Sequence, residues 1–418
     1  MVSKRILGYA VLAILAAGYL LAQTVPVATP GEPNIPTVIA FERVRVLPMD
    51  SARALADQTV LVRGDRIVAL GPTGTISIPE GAVRIDGRGQ TLVPGLADLH
   101  VHLYSEADLL NYLAHGATTV LDLNGSPRTR AWRSAARRGA IPSPTLYTAG
   151  PSLNGYPPGN PTFVALDDPA RASFEVRRQK AAGYDLVKTY STLAPEVYQA
   201  VMETAEAESM AVVGHVPLAI GIEGALDAGQ RMIAHGEEYW KVVGRADSVA
   251  VAEVIRKTRV SGAWVTPNLS AIDRILAEAA DLPALLDVPE AAFVSPAALS
   301  EWLPSNNRYW GTDTARFLPG MRAERAFIRS LTARLAAAGV PLLVGTDSPV
   351  FGFAGASAHR ELELLVDAGL SPYEALAAAT RAAGDFVATA VDPRDRFGRV
   401  APGQRADLLL VDGDPLVD

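Results

Sequence analysis

The run Ala97-Asp-Leu-His-Val-His102 is short, mostly apolar, and ends on two histidines one residue apart. Alternate residues of a β-strand share a face, so the imidazoles of His100 and His102 are expected to point the same way. Seven similar runs follow it: Ala117–Leu123, Thr145–Gly150, Asp185–Tyr190, Met210–His215, Arg231–His235, Ala263–Asn268 and Pro341–Thr346. Helical stretches fit between most of them, among them 167–182, 195–208, 246–260 and 322–338. Near-continuous apolar strands alternating with helices are the mark of a parallel sheet, and eight units predict an α/β fold of the closed (β/α)8 TIM-barrel type. An open doubly wound sheet would carry a Gly-rich phosphate loop after its first strand, and none is present.

Outward from this repeat the pattern changes. Between 37 and 90, runs such as Val38–Val46, Thr59–Val62, Arg66–Leu70 and Ala82–Ile85 alternate with turn residues, and Asp407–Val411 repeats the pattern at the far end. These predict a small antiparallel sheet, closed into a β-sandwich by strands from both chain ends. The expected organisation is therefore a leader and linker (1–36), the first part of the small β domain (37–90), the barrel (91–390) and the returning part of the small domain (391–418). Two stretches break the repeat, Pro151–Pro161 and Asp281–Gly320, the latter containing Trp302, Tyr309 and Trp310. Both follow expected strand ends, where barrels keep their sites, so each is either a lid or a surface insertion.

The chain of 418 residues is 49% hydrophobic and 20% charged, with a net charge of −7. That composition supports a large core, and the lack of a basic face argues against a nucleic-acid partner. Cysteine is absent, which excludes disulfides, thiolate nucleophiles and Cys-based metal sites together. At the amino terminus Lys4 and Arg5 precede the apolar run Ile6–Ala22, 17 residues long. This predicts export, to the periplasm or beyond, with the run serving either as a cleaved signal or as a retained anchor and the only membrane contact.

The chemistry lies at the expected strand ends. His100 and His102 close the first strand, Lys188 lies near the end of the fourth, His215 ends the fifth, His235 the sixth, and Asp347 follows the eighth. Six potential metal ligands from five strands at one rim form a joint signal that no single member carries. Lys188 as an ammonium would repel a cation. Addition of carbon dioxide would convert it to a carbamate able to bridge two divalent ions, and burial favours the free amine that reacts. The alternatives are a lysine that caps the strand end or binds a substrate anion.

The segments Leu92-Val-Pro-Gly-Leu-Ala-Asp-Leu-His-Val-His-Leu103, Gly116–Val120, Gly214-His-Val-Pro217, Ala234-His-Gly-Glu-Glu238 and Leu343-Val-Gly-Thr-Asp347 together resemble the signature of the amidohydrolase superfamily. Glu361–Leu365, Ala375–Thr380 and Gly398–Asp412 are similar to the post-barrel helices and returning strand of its imidazolonepropionase-like and prolidase-like branch. The resemblance runs from about Thr37 to the carboxyl end. It implies a binuclear centre with two divalent ions, zinc by preference: His100, His102 and Asp347 on one, His215 and His235 on the other, and carboxylated Lys188 between them. It further implies that a metal-bridging hydroxide attacks a carbonyl and that Asp347 carries the proton to the leaving nitrogen. Peptidase-like members often carry Gly-Gly-His after the third strand, where this chain has Asn154-Gly155-Tyr156. Relatives usually continue through further strands of the small domain, so the part present here is expected to be reduced or cut short.

Tyr190, Tyr239 and His359 are candidate substrate contacts near the rim, with core packing as the alternative for the two tyrosines. His115, before Gly116, is expected to end a helix. The resulting expectation is an exported, metal-dependent hydrolase of a small N-acyl amino acid or dipeptide-like amide, acting as a monomer or a homo-oligomer. Hydrolysis of a cyclic amide or a lactone is the alternative within enzymes, and a non-catalytic, membrane-tethered binding protein on a degenerate barrel is the alternative of another class.

Overall fold

Buried and half-exposed residues alternate along β1 (Val38–Val46), as expected of a strand with one face on a core. The computed structural model describes residues 38–244 and 248–417, so the leader expected over 1–36 lies outside the described residues. β2 (Leu55–Arg63) and β3 (Arg66–Pro72) form a hairpin around Gly64-Asp65, where the glycine takes φ 59°. β4 (Val83–Asp86) and β5 (Gln90–Pro94) then both lie parallel to β1.

The central part alternates strands and helices as the sequence predicts. β6 (Leu96–Val101), β7 (Ala117–Asp122) and β8 (Thr145–Thr148) form one parallel sheet. A second parallel sheet has the order β10-β9-β11-β12-β13-β14, with β9 at Leu153–Asn154, β10 at Val164–Ala165, β11 at Leu186–Thr189, β12 at Ala211–Gly214, β13 at Met232–Ala234 and β14 at Trp264–Thr266. Seven of the eight expected strands form where the apolar runs lie; β9 and β10 are extra, built within and just after the proline-rich stretch. Several helices begin with proline in the first turn, where a missing amide costs no hydrogen bond: Pro127, Pro169, Pro195 and Pro372. The helix Pro169–Ala182 is capped by Asp168, whose carboxylate accepts from the Arg171 amide at 2.9 Å, and it ends on Gly183 at φ 84°.

The regular ladder does not close. Single bridges, Ala149 with Leu186, Val265 with Leu342 and Val101 with Ser348, span the gaps between the two sheets and the stretch 342–348. The expected eighth strand, Pro341–Thr346, is thus extended but forms no ladder of its own. It still pairs with the first strand through backbone hydrogen bonds, from the Leu99 amide to the Val344 carbonyl (2.9 Å) and from the Thr346 amide to the His100 carbonyl (3.2 Å). The Asp98 carboxylate adds bonds from the Thr346 hydroxyl (2.6 Å) and amide (3.1 Å) and from the His100 amide (3.3 Å). Asp98 is fully buried, and burial pushes its carboxyl up to about 7 against these hydrogen bonds.

Leu408–Asp412 returns as β15 and pairs antiparallel with β5. Strands from both ends therefore share a sheet as expected, but it is a single mixed six-stranded sheet rather than an antiparallel sandwich. The difference from an antiparallel sheet is the parallel placement of β4 and β5 beside β1. Its core is Val44, Val46, Val60, Val62, Ile67, Leu92 and Val400.

Candidate metal centre

The carboxyl ends of β6, β11, β12 and β13, with the turn after 342–346, bring five side chains into one buried cluster and a sixth to its edge. His100 and Lys188 have essentially no exposure, His215, His235 and Asp347 are buried, and His102 is partly exposed at the rim. Asp347 Oδ1 lies 2.8 Å from His102 Nε2 and 3.4 Å from His100 Nε2, while Oδ2 lies 3.8 Å from His235 Nε2. Lys188 Nζ is 3.4 Å from His100 Nε2. The His235 ring stands 4.6 Å from those of both His100 and His215. All six residues singled out in the sequence are thus connected by contacts.

Two glycines make this approach possible. At Gly214 (φ 111°) a Cβ would fall 2.3 Å from Lys188 Cδ, and at Gly345 one would fall 2.7 Å from His100 Cβ. His235 (φ 74°), Asn268 (φ 55°) and Asp347 (φ 59°) take the left-handed conformation that non-glycine residues seldom adopt. Such backbone costs about 1–3 kcal/mol per residue and clusters where side chains must be aimed.

The electrostatics suit a cation. Burial, reinforced by the Lys188 charge, holds His100 and His215 well below the ordinary imidazole range, and burial with the neighbouring His215 does the same to His235. Neutral imidazoles keep lone pairs free for coordination. Burial would raise Asp347, but the His102 hydrogen bond and the charges of His102, His235 and Lys188 outweigh it and keep the carboxyl below its usual value. Burial likewise brings Lys188 down to about 8 despite the nearby Asp347, Glu238 and Asp122. Among the described residues no carboxylate reaches ion-pair distance of its amine. Ligand atoms of His100, His235 and Asp347 all lie within 4.8 Å of one another, so nitrogen and oxygen donors fit a divalent ion.

Residues without a role in the sequence reading support these ligands. Glu238 Oε1 lies 2.5 Å from His215 Nδ1. An Nδ1–H directed at that carboxylate would orient the ring and leave Nε2 free to coordinate, a recurrent arrangement around metal-binding histidines. Lys241 donates to Glu238 at 2.9 Å and to Glu237 at 2.7 Å. On the far side of His100, Asn268 Nδ2 is 3.5 Å from Nδ1 while the Asn268 Oδ1 is buried without a partner. A half-turn of the amide presents Oδ1 to an Nδ1–H and fixes His100 with Nε2 toward Asp347. The signal for Glu238 was its position three residues after His235 at a helix start; Asn268 had none beyond ending the seventh run.

Other expected contacts fall differently. Tyr190 stays near, its ring 4.1 Å from that of His215. Tyr239 does not: it is fully buried with its hydroxyl 3.0 Å from Thr258 Oγ1, because the helix Glu237–Val243 turns that face to the helix behind it. His359 is exposed and pairs with the His115 carbonyl at 2.8 Å, since its helix, Ala356–Asp367, packs alongside Glu106–Ala114 there. His115 does end that latter helix, with Gly116 following at φ 78°. Asn154, where peptidase-like relatives differ, is buried; its Oδ1 accepts from the Thr192 amide and hydroxyl at 2.8 Å, so it braces the loop.

The segment Asp281–Gly320 packs beside the turn that carries Asp347. Trp302, buried, donates its indole N–H to the Pro349 and Val350 carbonyls at 3.1 and 3.3 Å. The Arg274 guanidinium lies 4.2 Å over the Trp302 ring and is paired with Glu278 at 2.7 Å. Glu278 also receives Asn307 Nδ2 at 2.8 Å, tying the segment down a second time.

The amidohydrolase family model matches residues 91–418. A prolidase-like protein of Bifidobacterium longum superposes with a TM-score of 0.70 at 26% identity, covering 92% of this chain and 91% of that one. An adenine deaminase of Bradyrhizobium sp. is 36% identical over 86 residues (18% of this chain), and the imidazolonepropionase of Alkaliphilus metalliredigens is 35% identical over 82 residues (19% of this chain). The chain spans 14% and 18% of those two relatives' own lengths. The match over most of the chain, together with the cluster of histidines, lysine and aspartate at its strand ends, shows that this protein belongs to the amidohydrolase family of metal-dependent hydrolases.

Proposed function

We propose that the protein hydrolyses the amide C–N bond of a small N-acyl amino acid or dipeptide-like substrate at a binuclear centre. The observation that carries this reading is the convergence of His100, His102 and His235 on the Asp347 oxygens, with Lys188 joined to them through His100 and His215 through His235. His100, His102 and Asp347 would hold one ion, His215 and His235 the other, and a carboxylated Lys188 would join them. Lys188 supports the carbamate by its position: a buried amine without a carboxylate partner, set among neutral imidazoles. Two such ions would supply Lewis acidity to a carbonyl oxygen and acidify water.

The residues of the chain then have definite tasks. With His102 engaged as a ligand, Asp347 Oδ1, the oxygen nearest His100 and His102, would stay on the ligand set, and Oδ2 would be the atom that takes a proton from the attacking water. From there it passes to the departing nitrogen, which leaves as an amine only when protonated. Glu238 and Asn268 hold the tautomers of His215 and His100. The backbone bond from the Asp347 amide to the His100 carbonyl, 2.7 Å, keeps the carboxylate over the ligands. The eight strand positions, joined through the single bridges, support a (β/α)8 barrel. Export is supported by Lys4, Arg5 and the apolar run 6–22 alone.

Expression with bicarbonate and zinc, a metal count, and a screen of N-acyl amino acids, dipeptides, cyclic amides and lactones test the reading. Two ions per chain and chelator-sensitive turnover of the open-chain amides are expected. Full turnover after demetallation overturns it, and so does Lys188→Ala with both ions and full rate for the bridging role. Preference for ring substrates would favour the cyclic-amide alternative.

A further inference from the structure

Arg308 sits in the Asp281–Gly320 segment with its guanidinium over two aromatic faces, 5.5 Å from the Tyr309 centroid and 5.4 Å from that of Phe351. Phe351 belongs to the turn that carries the catalytic carboxylate: its amide donates to the Asp347 carbonyl at 3.0 Å. Among the described residues, no carboxylate lies within ion-pair distance of Arg308, in a chain whose acidic residues outnumber its basic ones. Most arginines around it are engaged: Arg325 and Arg360 with Asp273, Arg274 with Glu278.

The backbone beneath Arg308 is held in place. Asn307 Oδ1 accepts from the Tyr309 and Trp310 amides at 3.0 and 2.9 Å, and its Nδ2 is anchored on Glu278. Through Phe351, whose amide is bonded to the Asp347 carbonyl, the guanidinium stands over the turn that carries Asp347. A guanidinium stacked on rings keeps its N–H edge free and pre-oriented, and a planar carboxylate is the group that edge matches.

We propose that Arg308 receives the free carboxylate of the substrate, so that the enzyme selects acids over their neutral amides. The assignment rests on the amide-hydrolase reading above and deepens it: the scissile carbonyl reaches the metal ligands while the anionic end is retained under the 307–310 turn. Neither Tyr190 nor the metal ligands need supply that charge.

The test uses the metallated full-length chain with a panel of N-acetyl amino acids and their matching primary carboxamides, read both by turnover and by calorimetric binding. The wild type is expected to prefer the acid by about tenfold or more in kcat/KM and in binding. Arg308→Met is expected to erase that preference, chiefly through KM on the acid, with the carboxamide unaffected and the metal content unchanged. Arg308→Lys should restore part of it, and Arg322→Met, which removes an equal charge elsewhere on the surface, should leave it intact. An acid preference equal in the wild type and Arg308→Met overturns the assignment, as does equal loss in Arg322→Met. If no member of the panel is turned over but acids still bind with an Arg308-dependent preference, the hydrolysis reading fails and the carboxylate site stands. If the wild type shows no preference in binding, the carboxylate site fails whatever the turnover.

Discussion

The candidate ligand residues at the strand ends and the 281–320 segment, which meets the turn after Asp347 through Trp302, are held by different means. His100, Lys188, His215, His235 and Asp347 are buried, and their directions are set by backbone: strand ends, left-handed φ at His235 and Asp347, and glycines at 214 and 345 that admit neighbours closer than any side chain would. The 281–320 segment is tied by side chains: Trp302 on the Pro349 and Val350 carbonyls, and the buried Arg274–Glu278 pair that reaches Asn307. A site held by backbone keeps its ligands through most single substitutions. A segment held by a few side chains can be loosened by one. This difference in how the two regions are held fits the proposals made above, reaction chemistry in the first region and substrate selection in the second.

The sharpest way to break it is Asp347→Asn. Asparagine keeps the size but cannot take a proton at Oδ2, so kcat should fall about 10²–10⁴-fold with KM little changed; steady-state kinetics on the best substrate of the screen checks this. A fall confined to KM would move Asp347 out of the proton path.

Glu278→Ala addresses the other region. Breaking a buried ion pair costs about 3–5 kcal/mol because it strands the remaining charge, here Arg274. We expect a lower melting temperature and faster proteolysis within 303–313, with metal content unchanged. Metal loss in step with the loosening would show that the two regions are not separate.

A smaller effect is expected at Glu238→Gln, which keeps the contact to His215 but weakens the charge that fixes the ring. Metal affinity should drop about 10–100-fold, measured by competition with a chelator, while Asp347-dependent proton transfer in the fully loaded enzyme is retained. Equal affinity in the variant would make Glu238 a packing residue.

A test away from the site concerns Glu361, on the helix after the Asp347 turn. Its carboxylate accepts from the Leu269 and Ser270 amides at 3.0 and 2.7 Å, and burial pushes it up to about 7 despite those bonds. A carboxyl raised in the folded state binds a proton between its unfolded value and about 7, so its stabilising contribution is largest at low pH and is lost as pH rises through about 7. Glu361→Gln should flatten that part of the stability–pH curve by about 3 kcal/mol between the ordinary glutamate value and about 7. Denaturant melts of the apo-protein on the acid and alkaline sides of neutrality read the difference; identical curves would refute the role.

Much of this is legible in the sequence, for identifiable reasons. Strands buried on both faces leave continuous apolar runs, and seven of the eight runs form strands. The ligand residues are visible because each closes such a run, and the end of a parallel strand is where a side chain faces the opening. The eighth run has the pattern of a regular strand and keeps backbone hydrogen bonds to the first and seventh strands, but only as isolated bridges; the Asp98 side chain, inside the first run, adds bonds to Thr346 that no apolar pattern records. The small sheet has the pattern of a sandwich because alternation reports which face of a strand is buried, and it is silent on whether neighbours run parallel. Tyr239 and His359 lie at plausible distances along the chain from ligands, but helical rotation sends one into the core and the other to solvent.

The order of residues by itself determined the family, the strand ends that carry nitrogen and oxygen donors, and the absence of sulfur chemistry, because these depend on periodicity and on which side chains exist. Only the tertiary structure decided which second residues lie against the donors, Glu238 and Asn268, and which rings Arg308 stands over, those of Tyr309 and Phe351. Those relations join segments tens to hundreds of residues apart, and hydrogen-bond partnership between such segments is set by how sheets and helices pack, which no local pattern records.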